Sequence, residues 1–164
     1  MSPSDFHIRA AEISDVPVLL NLIRELAAHQ GLAREVSASE AELHVGLFSE
    51  RPYAEACLAE TEGNAVGFAL YFHTFSTFLG KPGLYLEDLF VREEHRGQGF
   101  GEALLRYVGR IAVERGCGRL EWVALDWNDS AIGFYRKLGA VPLDDQTTYR
   151  VSGAALKRLG EGAS

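Results

Sequence analysis

Two stretches of this sequence hold residue types whose spacing could do chemistry. The first is Arg96-Gly97-Gln98-Gly99-Phe100-Gly101, followed by Glu102, and the flanking patterns place it between a strand and the start of a helix. A helix N-terminus carries about half a positive charge and several unpaired amide N–H groups, and glycines let the backbone approach an anion closely. Such a loop can cradle phosphates without lysines. Two stricter phosphate signatures fail: the third glycine of G-x-G-x-x-G falls on Glu102, and no Gly-Lys-Ser/Thr is present to reach a terminal phosphate and magnesium. Taken alone, a glycine trio is more often a tight strand-to-helix connection. The second stretch is Glu87-Asp88, two adjacent carboxylates in the otherwise apolar run 84–91. Period-two alternation puts Leu84, Leu86, Asp88 and Phe90 on one face, and Tyr85, Glu87, Leu89 and Val91 on the other.

The elements that must position these residues follow from the hydrophobic pattern. Residues 6–10 read as a strand. Ser14-Asp15 then opens a helix whose apolar positions Val16, Leu19, Leu20, Ile23, Leu26 and Ala27 recur at helical spacing and which ends near Gly31. Ser39 with Glu42 forms a capping box for a shorter helix reaching Phe48. Runs 54–61 and 66–75, separated by Glu62-Gly63-Asn64, read as a hairpin. A loop over 76–83 leads into the strand 84–91. After the glycine loop, Leu104, Leu105, Val108, Ile111 and Ala112 mark a helix that stops at Gly116, and 120–125 is the next strand. Asn128-Asp129-Ser130 caps a helix over 131–138 closed by Gly139, and short strands at 140–143 and 149–151 finish the sheet, with residues 160–164 expected to fray. A mixed sheet with helices packed on it results, in a single domain spanning 1–164.

Composition narrows the partners. The net charge of −7 argues against nucleic acid, whose non-specific affinity comes from Lys and Arg neutralising phosphates. A cationic ligand fits better. The first ten residues have no apolar core of signal-peptide length and no later run approaches a membrane span, so a cytosolic protein without membrane association is expected. Cys57 and Cys117 cannot make a disulfide framework. His7, His29, His44, His73 and His95 show no metal-ligand spacing, and no metal is expected.

At Arg96, Gly99 and Gly101 the sequence resembles the GNAT acetyltransferase superfamily, whose signature is Arg/Gln-x-x-Gly-x-Gly/Ala. The likeness extends to Leu84-Tyr85-Leu86-Glu87-Asp88-Leu89-Phe90-Val91 and to Trp127-Asn128-Asp129-Ser130-Ala131-Ile132-Gly133-Phe134-Tyr135, which look like the spermidine/spermine acetyltransferase branch. With Ile8-Arg9 and the helix around Leu22-Ile23-Arg24-Glu25-Leu26-Ala27 it covers nearly the whole chain. The resemblance implies an α+β fold with a mixed, mostly antiparallel sheet, splayed between the strands on either side of the glycine-loop helix. It also implies a homodimer and transfer of acetyl from acetyl-coenzyme A to a primary amine of a small cationic molecule, by direct attack in a ternary complex.

The resemblance also implies roles. The amides of 97–102, in the loop opened by Arg96, would hold the coenzyme A pyrophosphate. The backbone of Leu89, Phe90 and Val91 would pair with pantetheine like an added strand, and one of its N–H groups could stabilise the developing oxyanion. Asn128, Asp129, Ser130 and Ala131 would also contact coenzyme A. Tyr135, which beside Phe134 would otherwise read as core packing, becomes the candidate general acid for the departing thiolate; a phenol near pKa 10 facing a thiol near 8.5 is uphill by roughly 2 kcal/mol. Glu87 is the candidate base. An ammonium near pKa 10.4 and a carboxylate near 4.3 differ by roughly 8 kcal/mol, so Glu87 would act through a water, with a pKa raised by Asp88 and burial, or as a counter-charge for the substrate. Asp88 could line the amine site if a bulge turns it, or pair with an arginine. Glu121 and Trp122 are further amine-pocket candidates, or ordinary strand residues.

Two departures from the polyamine enzymes bear on the substrate. His29-Gln30 replaces an aromatic-acid pair after the first helix, and Gln146-Thr147 replaces acids near the last turn. Both remove negative charge that a long polyamine needs, which makes a diamine, thialysine or lysine a rival substrate. A protein or peptide amine acetyltransferase and a silent acyl-coenzyme A binding module are the alternative readings.

Overall fold

The computed structural model describes residues 5–126 and 128–162. They group into two compact units, one within 1–123 and one from 124 onward. Trp127, part of the resemblance above, and residues 163–164 of the tail lie outside the described residues.

The first unit is built on a five-stranded sheet in the order β1 (His7–Ala10), β2 (Glu55–Thr61), β3 (Asn64–Ser76), β4 (Lys81–Val91) and β5 (Leu120–Trp122). The first three pairings are antiparallel and β4–β5 is parallel, giving the mixed, mostly antiparallel α+β architecture expected. Between β1 and β2 come α1 (Val16–His29) and α2 (Glu40–Phe48). The predicted capping box starts α2: Ser39 Oγ accepts from the Glu42 amide (3.2 Å) and Glu42 returns a carboxylate to the Ser39 amide (2.8 Å). Leu19 and Leu22 of α1, Leu47 of α2, Ala56 and Leu58 of β2, Phe68 of β3 and Phe90 of β4 form one buried cluster on the α1–α2 face. The long helix α3 (Phe100–Glu114) follows β4 and buries Leu104, Leu105, Val108 and Ala112. Sheet residues of opposite parity, such as Ala69, Tyr71 and Cys57, point away from the α1–α2 cluster. Cys57 is buried and its thiol is pushed up to about 12 by desolvation, an inert core residue.

Three expectations are corrected here. The loop 76–83 is shorter, because Ser76↔Lys81 and Phe75↔Pro82 already pair; Pro82 is tolerated because a strand residue whose N–H would face away from its partner loses no ladder bond. The strand after α3 stops at Trp122 instead of reaching Leu125. In the second unit neither 140–143 nor 149–151 is a strand: no backbone ladder reaches them, and Pro142 supplies no amide. That unit contains α4 (Asp129–Lys137) and a helix the sequence pattern did not predict, α5 (Gly153–Gly160). Ser152-Gly153 followed by Ala-Ala-Leu-Lys-Arg-Leu over 154–159, a run of good helix formers with Leu156 and Leu159 on one side, is the available signal.

Candidate active site

The geometry of β4 turns on one residue. Up to Leu86 it pairs with β3 as Tyr71↔Leu86; beyond, the register resumes at Leu70↔Asp88, so Glu87 is an extra, unpaired residue in a β-bulge. Cross-strand partners share a face. Leu84 and Leu86 therefore lie with Tyr71, whereas Asp88 and Phe90 lie with Leu70 and Phe68 on the α1–α2 face. The uninterrupted alternation read from the sequence is overturned by this bulge.

The backbone changes phase as well. Before the bulge, Leu84 N–H donates to Arg119 O (3.0 Å) and Pro82 O accepts from Gly118 N–H (2.9 Å), so the even residues face β5. After it, Arg92 N–H donates to Val66 O (2.8 Å), so positions 88, 90 and 92 face β3, and Leu89 and Val91 turn their backbone groups to the other side. There the sheet is open: β5 pairs only with Leu84, Tyr85 and Leu86, which is the splay between the strands flanking α3. Of the three residues named for pantetheine, Leu89 and Val91 present their backbones to this edge. Phe90 does not, since its side chain is 6% exposed in the core and its backbone faces β3.

The open edge runs into the glycine loop. A short turn over Glu93–His95 leads to Gly97 at φ 77° and Gly99 at φ 86°, and α3 begins at Phe100 with no side chain capping it. An ideal Cβ at either glycine would meet nothing within 4 Å. The positive φ therefore comes from the loop's path and not from crowding at a Cβ. The side chain of Arg96 is used internally: its Nε donates to Val91 O (2.9 Å) and its guanidinium lies 5.5 Å from the Phe90 ring centroid. Gln98 is exposed, Phe100 stacks on Phe6 at 4.3 Å, and Glu102 pairs with Arg106 one turn on (2.8 Å). Gly101 faces Val91, with room for a methyl, its ideal Cβ lying 3.9 Å from Val91 Cγ2.

Glu87 and Glu121 act on Tyr85, and Asp88 adjoins Glu87. Glu87 is exposed at the bulge, so the burial expected for it is absent. The carboxyl that burial raises is Asp88: desolvation first, and the charge of Glu87 second, push it up to about 6. No arginine pairs with Asp88 among the described residues. Glu121 sits opposite Tyr85 in the parallel ladder. The Tyr85 hydroxyl is raised by burial and then by the charges of Glu87 and Glu121. Trp122 pairs with Leu86, which puts it on the opposite face from Tyr85 and Glu121. His29 and Gln30 close α1; one turn earlier Glu25 pairs with Arg92 (3.0 Å), holding that end of α1 beside the end of β4.

The second unit supplies the remaining candidates. Asn128 caps α4, its Oδ1 accepting from the Ala131 amide (3.4 Å) and from Ser130 Oγ (3.3 Å), while Asp129 is the first helical residue. Tyr135 lies in the last turn of α4 beside Phe134, and burial raises its pKa.

Residues 20–140 fit the model described as the acetyltransferase (GNAT) family. The chain belongs to this family, and it is an acetyltransferase. Among GNAT proteins it is 35% identical to a thialysine N-epsilon-acetyltransferase of Sus scrofa, over 93% of this chain and 95% of the relative. It is 31% identical to an L-ornithine N5-acetyltransferase of Arabidopsis thaliana, over 93% and 86%. A solved integron cassette protein from the mobile metagenome of V. cholerae has a similar fold, at a TM-score of 0.80 and 28% identity, covering 96% of this chain and 98% of that one. No helix among the described residues is long and apolar enough to cross a membrane, and no group of three or more His, Cys, Asp or Glu among them could hold a metal.

The raised pKa of Asp88 makes a stability prediction. Its folded value of about 6 lies above the ordinary 3.8, so between those pH values the folded chain binds more protons than the unfolded one. Stability therefore falls as pH rises through that window. Asp88→Asn removes the buried charge while keeping the shape, and should stabilise the protein by about 3 kcal/mol at pH 8, with most of the gain lost by pH 4. Urea midpoints of both proteins at the two pH values test this; a variant less stable at pH 8 would show that Asp88 is better charged than neutral.

Proposed function

We propose that this GNAT protein moves the acetyl group of acetyl-coenzyme A to a primary amine of a small cationic molecule, by direct attack in a ternary complex. One observation carries the reading: the edge of β4 at Leu89 and Val91, which no neighbouring strand among the described residues covers, leads directly into an uncapped helix N-terminus, with an exposed carboxylate at the bulge two residues before that edge. The residues fit the donor. Pantetheine is an amide-bearing arm that a strand edge can pair, and a pyrophosphate suits the amides of 97–102 at the uncapped start of α3. The donor supplies an activated thioester carbonyl. A backbone N–H on the open side of β4 stabilises the charge that develops on that oxygen. Asn128, Asp129, Ser130 and Ala131 add donor contacts at the start of α4.

Glu87, exposed at the bulge, meets the incoming ammonium as a counter-charge and passes its proton on through water. Asp88, at about 6, is the better-matched acceptor, since the gap to an amine near 10.4 shrinks from about six units to about four. Tyr135 protonates the departing thiolate. His29, Gln30, Glu121 and Trp122 are the remaining candidates for amine contacts. The enzyme is proposed to act as a cytosolic homodimer.

Relatives named for thialysine and ornithine acetylation, and the loss of acidic residues at His29-Gln30 and Gln146-Thr147, favour a short amine or a basic amino acid over a long polyamine. The test is thiol release from acetyl-coenzyme A with spermine, spermidine, putrescine, thialysine, lysine, ornithine and a lysine-containing peptide. We expect saturation with a basic amino acid or a diamine at concentrations where spermine and the peptide are poor. Preference for spermine over every shorter amine would overturn the substrate class. Silence throughout, with coenzyme A still bound, would point to a binding module.

A further inference from the structure

Arg119 and Glu121 flank the Tyr85 face of the sheet. Glu121 is the ladder partner of Tyr85, and Arg119, two residues earlier in the chain, lies on the same side, its Cγ 3.4 Å from where a Cβ on Gly83 would stand. The Arg119 guanidinium is steered by the β3–β4 hairpin, its Nη2 donating to Ser76 Oγ (3.2 Å), and its Nη1 lies 3.5 Å from Glu121 Oε1. Both side chains are about two-fifths exposed, at 45% and 39%. The ion pair is therefore loose and solvated and contributes little by itself. A cation beside an anion on a solvated surface is the complement of a zwitterion.

Distance selects the kind of zwitterion. Glu87 stands two residues beyond Tyr85 on β4, at most about 7 Å along the strand because the bulge shortens that step. The stem from the Cα of lysine to its side-chain nitrogen is five bonds, about 6 Å when extended. Along that path the Phe72 and Tyr85 rings, 5.2 Å apart and inclined by 31°, offer an apolar floor for methylenes. The second end of a diamine finds a different environment, since Arg119 repels it while Glu121 attracts it.

Resting on the functional reading above, we propose that Arg119 and Glu121 form the head-group site of a basic amino acid, with Arg119 binding the α-carboxylate and Glu121 the α-ammonium while the side-chain amine reaches Glu87. Arg119 thereby selects against polyamines, diamines and lysine inside a peptide, none of which carries both groups at that position.

The experiment compares lysine with cadaverine, its decarboxylated counterpart, and with lysine methyl ester, using wild-type enzyme, Arg119→Gln and Glu121→Gln, with acetyl-coenzyme A saturating. Wild type should favour lysine over the ester by about tenfold or more in kcat/KM, the loss expected for a charge-assisted contact. Arg119→Gln should raise the KM for lysine by a similar factor with kcat nearly kept, and should leave or lower the KM for cadaverine. Glu121→Gln should raise the KM for lysine. Equal changes for lysine and cadaverine in Arg119→Gln, or wild type that treats lysine and its ester alike, would overturn the head-group site. The wild-type comparison needs no variant to fold. Wild type that acetylates none of the three amines while acting on another substrate would also overturn it; inactivity on every amine would instead remove the functional reading beneath it.

Discussion

Tyr135→Phe should lower kcat by about a hundredfold or more while the KM of the donor and of the amine change by no more than two- to threefold. The expectation follows from what the hydroxyl does and what the ring does. A positioned general acid contributes roughly 10²–10⁴ in rate, and phenylalanine keeps the ring beside Phe134 while removing only the proton donor. Burial raises the Tyr135 pKa, so the wild-type phenol stays protonated throughout the physiological range. A decline in kcat below pH 9 must then come from another group. Thiol release under saturating substrates, with pre-steady-state mixing to separate chemistry from product release, measures the effect. Unchanged kcat in the variant, with chemistry rate-limiting, would remove Tyr135 from the proton path.

Gly67→Ala should cost about 2 kcal/mol of stability and raise the KM for the acetyl donor, although residue 67 is remote from any reacting atom in sequence. A Cβ built at Gly67 stands 2.6 Å from Phe90 O and 3.3 Å from Val91 Cα. Both are backbone atoms that cannot swing aside, so β3 and β4 must part. Overpacking of this kind costs roughly 1–3 kcal/mol. The displaced strand is the one whose outer edge carries Leu89 and Val91, so stability and donor binding should decline together. Gly46, inside α2 with nothing within 4 Å of where a methyl would stand, is the control, and alanine there should be neutral or stabilising. Denaturant unfolding and donor titration of the two variants decide the matter. A Gly67→Ala protein with wild-type stability and donor KM would show that the close approach does not set the strand edge.

The legible parts of the fold were those encoded locally. The Ser39/Glu42 capping box, the apolar stripe of α3 and the hairpin around Glu62-Gly63 each depend on neighbours a few residues apart, and each stands where the pattern put it. The glycine loop was legible for the same reason. The bulge at Glu87 was not, because it is a property of the β3–β4 register: nothing within 84–91 says which of its residues goes unpaired. That one slip puts Asp88 and Phe90 on the α1–α2 face and leaves Leu89 and Val91, without Phe90 between them, facing the open edge. The terminal strands failed for a related reason. Val141 and Leu143, or Tyr149 and Val151, alternate as strand residues do, but a strand also needs a partner backbone that no propensity guarantees. Arg119 escaped notice because it lies just outside the predicted strand, and its meaning comes from Tyr85 across the ladder.

The loop glycines carry a further consequence. At Gly97 and Gly99 there is ample space for a side chain, and what excludes one is chirality: an L-residue strains at those angles, whereas its mirror image would sit in them without effort. A chain made of L-amino acids has glycine as its achiral substitute, and accepts a floppier unfolded state in return. The selectivity of this loop for glycine is thus a statement about handedness, and replacing either residue by D-alanine through chemical ligation would keep its shape while narrowing the conformations it must give up on folding.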